Sequence, residues 1–208
     1  MYGAYSAVSA QADGSVRALS IFPQALLIDN FFFVALEYSC IIMPEFLNSS
    51  FGLKLTAPQV VEEIIRFMHA EPERRYKVTI GTDSERLAGG RADFVTAVVV
   101  HRVGNGGRYF WRRLEMGKFH TLRDRIIKEV LISLELSKEI LLELKNSALA
   151  GTGEPVLKWD FEIHADVGER GPTRAMIQEV VGMIRANNFE AITKPGSYAA
   201  SNVADRHV

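Results

Sequence analysis

Four acidic residues, Asp83, Glu129, Asp166 and Asp205, stand where a fold could gather their carboxylates. Asp83 closes the run Val78-Thr79-Ile80-Gly81-Thr82-Asp83-Ser84, which is apolar and β-branched in the manner of a strand. Gly and Asp break that pattern, so the carboxylate is expected at a strand's end, on a rigid base. Asp166 closes a second alternating run, Glu129 sits one turn into a long helical pattern beside Ile126 and Val130, and Asp205 falls in a last helical segment. Carboxylates brought together repel one another, and a cation relieves that repulsion. Oxygen ligands select hard ions, Mg²⁺ or Mn²⁺. Two such ions about 4 Å apart clamp the attacking and leaving oxygens of a phosphodiester displacement.

Each acid also has a plainer reading. The chain carries 25 Asp and Glu residues, most of them solvated. Glu129 could be half of a surface ion pair with Arg125 at i−4. Asp166 could serve only as a turn residue before Gly168, and Asp205 could be idle near the terminus. Order, element type and chain position together favour the cluster.

The elements that must position these acids follow from periodicity. Thr56-Ala57-Pro58-Gln59 opens a helix, with Thr56 as cap, that runs to about His69 on a stripe of Val60, Val61, Ile64, Ile65, Phe67 and Met68. Strands are expected over residues 76–83, 94–102 and 108–115, the last two joined by the hairpin signal Gly104-Asn105-Gly106-Gly107. A long helix is expected over 121–145, a fourth strand over 157–165, a helix over 173–187, a short fifth strand over 189–193 and a final helix over 197–207. The fold class is therefore α/β: a mixed five-stranded sheet, three antiparallel strands followed by βαβ crossovers, flanked by helices.

Basic and imidazole side chains accompany the acids. Arg112, Arg113, Lys118, Arg123, Arg125 and Lys128, interleaved with Trp111 and Phe119, could track a phosphate backbone or simply form a solvated strand edge and helix start. Arg123 is favoured for phosphate and Trp111 for the core. Lys194, before Pro195, is expected near the acidic rim. His164, two residues before Asp166, either orients a carboxylate or packs against backbone. Thr121 is read as a cap, and His207 as no ligand.

Composition sets the outer limits. The 208 residues are 48% hydrophobic and 24% charged, with a formal net charge of −1, which excludes coating nucleic acid by bulk charge. The single cysteine, Cys40, excludes a disulfide framework or a CxxC metal site and points to the cytoplasm. Residues 1–42 read as an atypical extension: the apolar stretch 21–42 is interrupted by Pro23, Asp29, Asn30 and Glu37, which argues against a membrane span of roughly 20 residues. Met43 is the expected start of the native domain, 43–208.

Strand-Asp, helix-Glu, strand-Asp, helix-Asp on this element order resembles the ribonuclease-H-like fold. The strings Ile80-Gly81-Thr82-Asp83-Ser84, Arg125-Ile126-Ile127-Lys128-Glu129, His164-Ala165-Asp166-Val167-Gly168, Gly182-Met183-Ile184, and Lys194-Pro195 through Ala204-Asp205-Arg206 resemble the YkuK branch of that superfamily, over residues 46–208. The resemblance implies Asp83 as the metal-bridging aspartate, Glu129 and Asp166 as its companions, and Asp205 as the residue completing a second metal site. The chain stops three residues after Asp205, so a short last helix holding that ligand loosely is expected.

The implied function is a Mg²⁺- or Mn²⁺-dependent nuclease acting on RNA, an RNA–DNA hybrid or branched DNA, with Arg123, Arg125, Lys194 and His164 toward substrate. Nucleic acid is the expected partner and a membrane is not. A non-catalytic nucleic-acid-binding or adaptor protein, and a small-phosphate hydrolase, are the alternatives. The oligomeric state is left open.

Overall fold

A computed structural model of the chain describes residues 45–150 and 156–207. The expectations for residues 1–42 and the Met43 start lie outside the described residues.

Helix α1 (Ala57–His69) begins as its sequence demands. The Thr56 backbone N–H donates to Gln59 Oε1 at 2.9 Å, satisfying an amide that the helix start leaves over. Two short strands, β1 (Leu47–Ser49) and β2 (Lys54–Leu55), precede it. They make the sheet seven-stranded rather than five-stranded. Segments of three and two residues are too short to show alternation. They exist through pairing with each other and, for β1, with β5 (Asn48 opposite Trp111).

The hairpin of β3 (Arg75–Arg86), β4 (Ala92–Arg102) and β5 (Gly107–Met116) forms the centre. The turn from β4 to β5 holds Gly104 and Gly106 at φ +85° and +68°, the left-handed conformation for which glycine is suited. β3 does not end at Asp83. Its antiparallel pairing with β4 continues to Arg86 opposite Ala92, because β4 is long enough to supply partners. What ends near Asp83 is the parallel pairing on the other side. Strand β6 (Lys158–Ala165) stays with β3 as far as Thr82 opposite Ala165, and there the strands part. The next residues on each are Asp83 and Asp166.

Helix α2 (Leu122–Ala150) runs five residues beyond its expected end. Its start is a reciprocal cap: Asp124 N–H donates to Thr121 Oγ1 and Thr121 N–H to the Asp124 carboxylate, each at 3.1 Å. Helix α3 (Ile177–Ala186) leads to β7 (Glu190–Ile192), so the strand order is β2-β1-β5-β4-β3-β6-β7.

Helices α1 and α2 cover one face, where Val60, Ile64 and Met68 pack with Val78, Ile80, Val98, Leu136 and Ile140. Toward β6, Ile126, Val130 and Leu134 of α2 pack with Ile163, Val167, Val180 and Ile184. Each such side chain contributes about 1.5–3 kcal/mol by leaving water. On the opposite face, the last segment packs on Val95, Ala97 and Val99 through Ala199 and Ala204. It is a π-helical turn (Ala199–Ala204) followed by a 3₁₀ turn (Asp205–His207), not the regular helix expected. Among the described residues no helix is long and apolar enough to cross a membrane.

Candidate metal centre

Successive strand residues point to opposite faces, and the site is built on that rule. Asp83 and Ser84 diverge across β3. Asp83 shares a cleft with Asp205 of the terminal segment, Arg125 and Arg86. Ser84 turns toward α2, where its hydroxyl donates to Glu129 Oε1 at 2.6 Å. Arg125, one turn before Glu129, donates to the Ser84 carbonyl at 2.8 Å and to its hydroxyl at 3.2 Å. Ser84 thereby ties strand to helix at the rim.

Beneath it lies a chain of buried hydroxyls. Thr82 Oγ1 stands 2.8 Å from Ser133 Oγ of α2 and 3.0 Å from Thr96 Oγ1 of β4. All three side chains are buried, and their bonds fix the height of α2 over the sheet. Glu129 is consequently 5% exposed and is no surface ion-pair partner. Burial pushes its carboxyl up to about 8, against the Ser84 hydrogen bond, and the charges of Asp83 and Asp166 push the same way. Burial likewise raises Asp83 to about 6, with Asp166 and then Asp205, which shares a hydrogen bond with it, adding to the rise.

Asp166 leaves the end of β6 with its Oδ1 buried and without a partner, while Oδ2 receives the Lys194 ammonium at 2.8 Å. Gly168 makes that closure possible: a Cβ there would lie 2.9 Å from the Lys194 Cβ. The Lys194 N–H also donates to the Val167 carbonyl at 2.9 Å. The expected placement of Lys194 beside the acids is therefore observed as an ion pair with one of them.

Other expected residues fall elsewhere. Arg123 lies on the exposed start of α2, paired with Glu179 of α3. His164 is 1% exposed and belongs to the packed alternative. Its Nδ1 accepts the Ala199 N–H at 3.1 Å, its ring meets Tyr198 edge-on at 4.6 Å, and burial lowers its basicity. It anchors the segment that carries Asp205. Trp111 is half-buried and stacks on His207 at 4.3 Å, which secures the same segment from its far end.

Sequence reading missed the roles of Ser84 and Gly81. Ser84 was detectable in principle, because a residue adjacent to Asp83 on a strand must face the other layer. Gly81 admits the terminal segment, since a Cβ there would meet the Ala200 backbone.

The donor set suits a hard divalent ion. All four side chains offer oxygen, two of them are held protonation-prone by burial and mutual repulsion, and Asp166 keeps a buried oxygen unpartnered. Among the described residues, no three acidic or imidazole groups converge on one point in ion-holding geometry. Two of the acids are engaged by Lys194 and Ser84.

Comparison with known proteins is consistent with this architecture. The ribonuclease H-like family model matches residues 59–208. The uncharacterized protein YkuK of Bacillus subtilis (strain 168) is 33% identical over 158 residues, 74% of this chain and 91% of that protein. No solved structure matches significantly.

Proposed function

Because the chain belongs to the ribonuclease H-like family, in its YkuK branch, we propose that it is a divalent-metal-dependent nuclease that hydrolyses phosphodiester bonds. The observation that carries this reading is geometric: Asp83 and Asp166 directly follow the last paired residues of β3 and β6, Asp205 shares the cleft with Asp83, and Glu129 is held at the same rim by Ser84. Ligands of open α/β sheets collect at such a rim.

In this reading Asp83, Asp166 and Asp205 hold Mg²⁺ or Mn²⁺, and Glu129 joins them from α2. Bound as a pair, the ions supply activation of water and charge stabilisation at the leaving oxygen. The chain's own contribution is positioning. Ser84 and the hydroxyl chain below it hold Glu129 at the rim, and His164 and Trp111 hold the segment bearing Asp205. In this reading Arg125, in the open cleft beside Asp83, meets a phosphate of the substrate, and so does Lys194 once Asp166 is otherwise neutralised. Arg123, engaged by Glu179, is the weaker candidate for that role. The reading assigns the domain to residues 43–208 and the protein to the cytoplasm, on the sequence arguments above.

The test is cleavage of RNA, an RNA–DNA hybrid and branched DNA with Mg²⁺ or Mn²⁺, comparing the wild type with Asp83→Asn. Metal-dependent cleavage that falls more than about a hundredfold in the variant is expected. Salt-sensitive binding without turnover on any of these substrates would instead favour a non-catalytic nucleic-acid-binding protein, the reading suggested by the ion pair already occupying Asp166.

A further inference from the structure

Strand β3 loses its neighbour on one side after Thr82, where the pairing with β6 ends, while β4 stays beside it as far as Arg86. Residues 83–86 therefore form an open edge. Side chains alternate along it, so Asp83 and Glu85 leave on one face, and Ser84 and Arg86 on the other, toward α2. The cleft at the rim wraps this edge, with Asp83, Glu85 and Asp205 on one side and Ser84, Arg86 and Arg125 on the other. At about 390 Å³ it is ligand-sized, and it opens to solvent.

The two arginines of this cleft are not equivalent. Arg125 is half-buried, and its Nη1 is committed to the carbonyl and hydroxyl of Ser84 at 2.8 and 3.2 Å. Arg86 is exposed and makes no hydrogen bond or ion pair among the described residues, so its five N–H donors remain available. Carboxylates stand in the same cleft, yet strand alternation sends Asp83 and Glu85 to the opposite face, and Arg86 pairs with neither. A metal ion is drawn to the carboxylate side and phosphate oxygens to the arginine side. Asp83 and Arg86 are three residues apart, about 10 Å along a strand. A phosphate on Arg86 is then not the one held at Asp83 but its neighbour.

We propose that Arg86 binds a second phosphate of the substrate, next along the chain from the one held at Asp83, with Arg125 between the two positions. This rests on the reading of the acidic rim as a phosphodiester site, and it names the substrate class. The substrate is a nucleic-acid strand with at least two consecutive phosphates, not a mononucleotide or a small phosphate ester. The strand follows the open edge of β3 on its α2 side, because Glu85 repels phosphate from the other. Arg86 touches neither the metal nor the reacting phosphate; it sets where the strand lies and how tightly.

The experiment measures binding of a single-stranded oligonucleotide to the full chain by fluorescence anisotropy, over a range of KCl, with and without Mn²⁺. Its phosphorothioate linkages keep the charge and resist hydrolysis. Each phosphate contact to a single strand contributes about −0.7 to the slope of log K against log salt. Arg86→Ala is expected to weaken binding and to flatten the slope by about that amount, and the charge-keeping Arg86→Lys to retain it. Arg185→Ala, at an exposed position of α3, should leave the slope unchanged. A nucleoside monophosphate should bind more weakly than the oligonucleotide. An unchanged slope in Arg86→Ala overturns the proposal, as does an equal loss in Arg185→Ala. So does a nucleoside monophosphate that binds as tightly as the oligonucleotide, or no binding of the oligonucleotide in either condition. Cleavage of an ordinary phosphodiester strand, assayed in parallel, separates the two readings. Metal-dependent cleavage with an unchanged slope removes the Arg86 subsite alone, and a lost slope without cleavage removes the nuclease reading alone.

Discussion

The backbone of Ala200 lies against Gly81 so closely that a Cβ on Gly81 would stand 2.7 Å from the Ala200 nitrogen. No side chain but hydrogen leaves room for that approach, and through it the terminal segment brings Asp205 alongside Asp83. Gly81→Ala should therefore push the π-helical turn off the sheet. A loss of about 1–3 kcal/mol is expected in urea denaturation, together with weaker Mn²⁺ binding by calorimetry. Full retention of both would show that the close approach does not position Asp205.

The two raised carboxyls predict how stability depends on pH. Folded-state values of about 8 for Glu129 and about 6 for Asp83 exceed the ordinary 4.5 and 3.8, so the native state binds more protons than the unfolded state between those limits. The contribution of these groups is full below about pH 4 and is lost as pH rises through about 6 and then about 8. Metal-free protein should melt at progressively lower temperature from pH 5 to pH 8. Each group adds at most about 1.4 kcal/mol per pH unit to that slope. Glu129→Gln should flatten the slope and raise Tm near pH 8, and excess Mn²⁺ should reverse the trend in the wild type. A Tm that rises over this range without metal would contradict the assigned burial of Glu129.

Lys194 neutralises Asp166, the part that the proposed metal ion would otherwise play. Lys194→Met should then raise Mn²⁺ affinity by a few-fold in calorimetry, because the ion no longer competes with an ammonium. The same variant should bind an oligonucleotide more weakly at low salt. Unchanged metal affinity would separate Lys194 from the metal site.

His164→Ala removes the acceptor of the Ala199 N–H and the ring under Tyr198. A buried donor left unsatisfied and a new cavity should cost about 2–4 kcal/mol. Hydrogen exchange should speed up first in residues 199–204, ahead of the central strands, and His164→Asn should recover part of the protection by supplying an acceptor. Uniform acceleration across the sheet would argue against a local anchoring role.

Features governed by neighbours in the chain could be read directly from residue order. Thr56 with Gln59 and Thr121 with Asp124 cap helices as their spacing suggests, and the glycines after Arg102 turn the hairpin. The apolar run of β4, covered on both faces, announces a central strand. Such patterns also placed the four acids on two strands, one helix and one terminal segment, because local conformation is set by interactions a few residues long. They could not reveal β1 and β2, whose pairing partners lie far along the chain.

The relations that make a site out of those acids span long separations, and three-dimensional packing alone fixed them. Ser84 reaches Glu129 across 45 residues, His164 holds Ala199 across 35, and Asp166 meets Lys194. Register decides that Asp83 and Asp166 both follow the last paired residues of β3 and β6, and the height of α2, set by Thr82, Thr96 and Ser133, decides whether Glu129 is wet or dry. A carboxylate's charge state depends on the dielectric and the charges around it. Residue order supplies the groups, and only their packing supplies that environment.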